Sequence, residues 1–167
     1  MFDLGLLILR APAGLLLAGH GAQKLFGWFG GDGPAVTGQG FESLGYRHGK
    51  AMAVVAGLTE LAAGLGIGVG LLTPFAAAGV IGTMLNAAVA AHGKAGLWAQ
   101  NGGYEYPLVL AAMAAGLAMH GPGGVSFDAA FGLEIAGVWW GVGAVLVGVL
   151  AASAVLSTRR QPSRLAA

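Results

Sequence analysis

Five long apolar segments run along the chain, separated by short stretches rich in glycine, proline and charged residues. They cover residues 4–26, 51–72, 75–92, 104–120 and 136–156. A helix needs about 17–25 mostly apolar residues to cross a bilayer, so each segment is long enough to be a transmembrane helix. The third and fourth segments are the shortest, and four spans with one re-entrant segment is an alternative. The pattern predicts an all-α, polytopic transmembrane helix bundle.

The connections between these segments differ in length. Thr73-Pro74 interrupts an otherwise uncharged stretch, and because proline disfavours helix at the preceding residue, it predicts a tight hairpin between the second and third spans. Residues 27–50 are rich in glycine at first and then carry Phe41, Glu42 and Tyr46. This composition predicts a loop outside the membrane that contains a short interfacial helix.

The composition agrees with a membrane protein and excludes several kinds of chemistry. Of the 167 residues, 56% are hydrophobic and 9% are charged, and the mean hydropathy is +0.76. The absence of cysteine excludes thiolate catalysis and cysteine-ligated iron–sulfur or zinc sites. A redox role would therefore depend on another molecule. No nucleic-acid motif, phosphate loop or nucleophile elbow is present. Catalysis by this chain alone is not expected.

The basic residues predict an orientation. Cytoplasmic loops of membrane proteins carry an excess of Lys and Arg. If Arg159, Arg160 and Arg164 are cytoplasmic, five spans place seven of the eight basic residues on that side. We therefore expect a cytoplasmic C-terminus and an N-terminus outside.

Two charged residues inside the apolar segments are the first candidates for a site. Charges in hydrocarbon cost roughly 2.5–3.5 kcal/mol each on insertion scales, so they usually face the protein interior. Arg10 shares one stripe of the first span with Gly14, Leu17, Gly21 and Lys24. Glu60 lies on one face of the second span with Gly57, Gly64 and Gly68. These faces predict either an Arg10–Glu60 ion pair that fixes helix register or a polar pocket that binds a ligand or moves a proton. Lys24, near the inner end of the first span, is expected to anchor the helix at the cytoplasmic surface.

Other polar positions are candidates for the same interior. Asn86 shares a face of the third span with Gly79 and Gly82, and serves there as a hydrogen-bonding wall or as glue between helices. Tyr104 and Glu105 stand at a helix start, where a carboxylate is also a plausible cap. A second turn offers two further caps, Ser126 or Asp128. The histidines at span ends, His92 and His120, do not converge with other ligands, and no metal site is predicted.

Several of these motifs, in this order and spacing, resemble those of the DoxX family of small bacterial membrane proteins, over residues 4 to about 130. The matching motifs are Arg10 with the Gly-rich span ending in Gln23-Lys24-Leu25-Phe26, Thr59-Glu60-Leu61-Ala62-Ala63-Gly64, Leu71-Leu72-Thr73-Pro74, Gly103-Tyr104-Glu105-Tyr106-Pro107, and Gly121-Pro122-Gly123 leading to Ser126-Phe127-Asp128.

The resemblance implies a four-helix transmembrane core over residues 1–134, with a cytoplasmic loop at 27–50. Residues 135–167 add a fifth C-terminal transmembrane helix and a basic cytoplasmic tail. It also implies a location in the bacterial cytoplasmic membrane. Similar proteins include the small membrane subunit of archaeal thiosulfate:quinone oxidoreductase and proteins linked to quinone or thiol stress.

The leading hypothesis is therefore an accessory subunit of a quinone-linked redox system. Its pocket, lined by Arg10, Glu60 and Asn86, would hold a quinone-like or other small amphipathic ligand, with Tyr104 and Glu105 as further binding or proton-relay positions. A small proton-coupled transporter and a membrane scaffold for a partner protein are the alternatives. Besides lipid, the expected partners are a redox enzyme or further copies of the chain, and no nucleic acid.

Overall fold

A computed structural model describes residues 2–160. Within this range the regular structure is entirely helical, with seven α-helices and three short 3₁₀ turns. The α-helices are α1 (Phe2–Phe26), α2 (Gly33–Ser43), α3 (Gly49–Val69), α4 (Thr73–Ala90), α5 (Glu105–His120), α6 (Phe127–Ala130) and α7 (Val138–Ser157). The 3₁₀ turns are Trp28–Gly30, Gly93–Ala95 and Ala99–Asn101. The prediction of an all-α fold is confirmed.

Four of these helices, α1, α3, α4 and α7, are long and apolar enough to cross a membrane. The protein is therefore a multi-pass membrane protein in contact with lipid. Helix α5 has 16 residues, and at 1.5 Å per residue it is about 24 Å long, shorter than the roughly 30 Å hydrocarbon core. A fifth span consequently stays a prediction. The helix that is too short is α5, which corresponds to the predicted segment 104–120, whereas the C-terminal segment 136–156 corresponds to the long helix α7.

Helices α1 and α3 are antiparallel and touch backbone to backbone along their glycine faces. A Cβ atom added at Gly14 would lie 2.4 Å from the Gly68 nitrogen, and one at Gly64 would lie 2.4 Å from the Ala18 nitrogen. Further along, a Cβ at Gly21 would lie 2.5 Å from the Leu61 nitrogen. The predicted small-residue faces therefore form this contact, as expected for helices that associate by close packing in lipid.

The predicted hairpin after α3 is confirmed. Gly70 ends α3 in the left-handed region (φ 68°), and α4 begins three residues later with Pro74 in its first turn. Asp128 binds the start of α4, because its carboxylate accepts hydrogen bonds from the amides of Leu72 (2.6 Å) and Thr73 (3.0 Å). Ser126 caps the short helix α6 by accepting a bond from the Ala129 amide at 3.2 Å. The two candidate caps thus act on different helices.

Helix α4 occupies the middle of the bundle, in contact with α3, α5 and α7. Its buried face contributes Ala77, Val80 and Ile81 to the apolar core, which α5 completes with Ala114 and Ala118. Because α4 has neighbours on several sides, its polar side chains outside this core also lie between helices.

The C-terminal end of α7 meets the connection between α2 and α3. Arg159 Nε donates to the Leu44 carbonyl at 2.8 Å, and the Arg160 amide donates to the Gly45 carbonyl at 2.8 Å. The helix predicted within residues 27–50 is present as α2, which packs against α3 and α1. These contacts place Arg159 and Arg160 at the same end of the bundle as Arg47, while Arg164 lies outside the described residues.

Candidate functional site

A partly enclosed cavity of about 430 Å³ lies between α2, α3, α4 and α7. Most of its wall is apolar, with small side chains such as Ala56, Gly82 and Ala152 from three helices. Four polar side chains that can ionise or carry an amide also line it: Lys24, Tyr46, Glu60 and Asn86. Ligand sites in proteins are commonly 300–1,000 Å³ in volume and apolar with a few placed polar groups, and this cavity fits that description.

The carboxylate of Glu60 binds Lys24. Lys24 Nζ donates to Glu60 Oε2 at 2.6 Å, and the two side chains are 23% and 10% exposed. The predicted Arg10–Glu60 ion pair is therefore wrong, and so is the expectation that Lys24 serves only as a surface anchor. The reason is register, since Gly21 packs against Leu61 and places Glu60 level with the turn of α1 that carries Lys24.

Arg10 is 1% exposed and binds backbone carbonyls at the opposite end of the bundle. Its guanidinium donates to Gly68 (2.5 Å) and Ile67 (3.3 Å) in the last turn of α3, and to Pro122 (3.0 Å) and Val125 in the loop before α6. Carbonyls in the last helical turn lack partners within the helix, and a cation is favourable there. Arg10 thus joins α1, α3 and this loop, and it does not line the cavity.

Asn86 lies on the face of α4 that was predicted from Gly79, Gly82 and Asn86, and all three line the cavity. The Tyr46 hydroxyl donates to Asn86 Oδ1. Tyr46 is 3% exposed, and its ring lies 5.4 Å from the guanidinium carbon of Arg159. The tyrosine therefore connects the cavity wall to the C-terminal end of α7.

Tyr104 and Glu105 lie outside the cavity. Glu105 Oε2 accepts a hydrogen bond from the Ala99 amide at 2.9 Å, which ties the 3₁₀ turn at Ala99–Asn101 to the start of α5. Tyr104 occupies the N-cap position of α5, and its carbonyl accepts from the Leu108 amide at 3.0 Å. These contacts are structural, and a role of either residue in ligand binding stays a prediction.

The histidines at the helix ends have local partners. His92 Nδ1 lies 2.7 Å from the Gly102 carbonyl, and the ring of His120 stacks on Phe2 with centroids 5.6 Å apart. Across residues 2–160, no cluster of three or more His, Asp or Glu side chains could hold a metal ion.

Two residues that line the cavity, Lys24 and Tyr46, were not predicted from the sequence to do so. Lys24 was assigned to the surface because it lies close to a helix end, yet its place on the Arg10–Gly14–Gly21 stripe puts it on the face that packs against α3. Tyr46 belongs to a loop, and no periodic signal connects it with α4. Only the path of the chain through α2 brings it against Asn86.

The DoxX family model matches residues 5–93, which is more than half of the chain. The matched range includes α2 to α4, all of α1 except its first three residues, and every polar residue of the cavity. The similar motifs at 103–107 and 121–128 lie beyond it. No curated protein and no solved structure matches the chain. The prediction from the sequence motifs is confirmed by this match: the chain belongs to the DoxX family.

Proposed function

We propose that this protein binds a small amphipathic, quinone-like molecule in the cavity between α2, α3, α4 and α7, as an accessory membrane subunit of a redox system. The observation that carries the proposal is the cavity itself, about 430 Å³ in volume, with apolar walls and the Lys24–Glu60 pair exposed to it. An apolar ring and tail suit the walls, and a polar head group suits the few polar side chains.

The position of the ion pair supports a functional role. An ion pair in an apolar environment is weak support for stability, because well-packed apolar residues of similar volume often serve as well. Lys24 and Glu60 keep a share of their surface open to the cavity, unlike Arg10, whose guanidinium is surrounded by carbonyls. Glu60 is thus the acid that a bound molecule can reach.

The accessory role rests on chemistry that the chain does not carry. It has no cysteine, and its sequence contains no flavin or nicotinamide fingerprint. Electron transfer to or from a bound quinone would come from a partner enzyme. We place the protein in the bacterial cytoplasmic membrane with the Arg159 end of the bundle in the cytoplasm, because most basic residues lie in segments at that end.

Titration of the purified protein in lipid nanodiscs with decylubiquinone tests the proposal. We expect saturable binding in the wild type and at least tenfold weaker binding in Ala87→Leu, which fills the cavity from α4. Ala112→Leu makes the same change at an exposed position of α5 and should bind as the wild type does. Equal binding by all three proteins, or no saturable binding, would overturn the proposal.

Proton-coupled transport is a second candidate, favoured by the contact of an acid and a base inside the cavity at 2.6 Å. It predicts pH-dependent flux in proteoliposomes that Glu60→Gln abolishes. Flux that is the same in empty liposomes and in liposomes with protein would exclude it.

A further inference from the structure

Asn86 presents an amide nitrogen to the bundle interior without a protein partner. Among the described residues, Asn86 Nδ2 is the one buried side-chain nitrogen or oxygen that makes no hydrogen bond. A buried donor without a hydrogen-bond partner is destabilising, and such a group calls for an explanation. The Asn86 side chain lines the cavity while its Nδ2 atom is covered, so a ligand that contacts this wall and uncovers Nδ2 is the natural acceptor.

The oxygen of this amide already accepts a hydrogen bond within the protein. The hydroxyl of Tyr46 donates to Asn86 Oδ1, which leaves the NH₂ group as the free end. Tyr46 is itself buried and packs against the Arg159 guanidinium, so the amide is held in one orientation before a ligand arrives. Preorganised groups contribute more to affinity because less ordering is needed on binding.

The remaining polar groups of the cavity define the charge of the ligand. Lys24 and Glu60 neutralise each other at 2.6 Å. Thr59 and Thr83 direct their hydroxyl hydrogens to carbonyls of their own helices, at 2.8 Å to Val55 and 2.9 Å to Gly79. The cavity therefore offers no net charge and one oriented free amide donor.

We propose that Asn86 Nδ2 donates a hydrogen bond to a carbonyl or ether oxygen of an uncharged amphipathic ligand, and so selects such molecules over fatty-acid anions and pure hydrocarbons. The proposal rests on the proposed function and adds the chemical class of ligand and the residue that determines specificity. Arg10, which the sequence predicted to line the pocket, has no such role here because its guanidinium is occupied by backbone carbonyls.

Three probes of similar tail length represent the three ligand classes: decylubiquinone is uncharged and amphipathic, decanoate is a fatty-acid anion, and decylbenzene is a pure hydrocarbon. In nanodiscs the wild type should bind decylubiquinone most tightly. Asn86→Leu should weaken decylubiquinone about five- to twentyfold and leave decylbenzene unchanged or tighter, because the lost hydrogen bond matters only to an acceptor. Asn101→Leu is the matched control, since it makes the same change at an exposed asparagine outside the cavity, and should change neither affinity.

A second measurement needs no substitution. The chain has two asparagines, Asn86 and Asn101, so selective ¹⁵N-asparagine labelling gives two side-chain amides. Decylubiquinone should shift the Asn86 NH₂ resonances, while those of Asn101, which is exposed and outside the cavity, stay in place.

The outcomes distinguish this inference from the proposed function. Saturable decylubiquinone binding that Ala87→Leu weakens but Asn86→Leu does not would overturn the role of Asn86 and leave the cavity as the binding site. Preference for decanoate would overturn the uncharged class. Failure of every probe to bind, with no shift at Asn86, would overturn both proposals.

Discussion

Lys24 and Glu60 meet 2.6 Å apart, at the level where the faces of α1 and α3 open onto the cavity. From this level toward Arg10 the two helices touch through glycines, so side chains have no room between them. The register of α1 and α3 therefore determines that Lys24 and Glu60 meet at the cavity wall.

Removing one member of this pair should cost more than removing both. Lys24→Met or Glu60→Gln leaves a partner charge in an apolar setting, and we expect each to lower the free energy of unfolding by about 2–3 kcal/mol. This is less than for a fully buried pair, because Lys24 keeps 23% of its side-chain surface exposed. Chemical unfolding in detergent micelles of both single variants and of the double variant measures the coupling. Strictly additive losses would show that the pair does not interact.

Arg10 should act on stability and not on ligand binding. Arg10→Lys keeps the charge but loses the forked donor geometry that reaches carbonyls of α3 and of the 121–126 loop. We expect the unfolding free energy to fall by about 3 kcal/mol, with decylubiquinone affinity of the folded fraction unchanged. Arg47→Lys, at an exposed position, is the control and should be neutral. A selective loss of ligand affinity in Arg10→Lys would contradict this assignment.

The glycine contact between α1 and α3 should not tolerate a methyl group. In Gly64→Ala the new Cβ would lie 2.4 Å from the Ala18 nitrogen, so the helices must separate. We expect a loss of about 2–3 kcal/mol in unfolding free energy. Gly19→Ala adds the same methyl where nothing lies within 4 Å, and its stability should stay within about 1 kcal/mol of the wild type. Similar thermal midpoints for the two variants would argue against the close contact.

Tyr46 should make stability sensitive to alkaline pH. Burial raises the pKa of Tyr46 above its ordinary value, and the positive charge of Arg159 opposes this only in part. Because the unfolded chain releases the phenol proton first, the stability contribution is complete below about pH 10 and is lost as the pH rises through the raised pKa of the folded state.

Unfolding midpoints between about pH 9 and about pH 11 check this prediction. The decline should be shallower in Tyr46→Phe than in the wild type. Tyr106→Phe changes a side chain that is 72% exposed and should follow the wild-type curve. Identical slopes for all three proteins would mean that Tyr46 titrates as a free phenol.

Local and periodic signals in the sequence were sufficient for much of the fold. The apolar segments predicted α1, α3, α4 and α7 to within a few residues, since a helix in lipid must satisfy its backbone internally over a fixed length. Thr73-Pro74 predicted the hairpin, and the spacing of Gly14, Gly64 and Gly68 predicted which faces meet. The face that carries Asn86 was also evident from its three- and four-residue spacing.

What the sequence determined, then, is which helices form and which of their faces are small or polar, because composition and the 3.6-residue period act within each helix. Only the tertiary structure decided which residues these polar side chains contact. Helix α1 extends past the end of α3, so Arg10 is level with the turn after α3. It lies about 18 Å along the helix axis from Glu60, although an ion pair between the two was one of the predicted alternatives. The lateral offset of two helices and the path of a loop such as the one carrying Tyr46 depend on contacts between distant segments, and no periodicity within one segment encodes them.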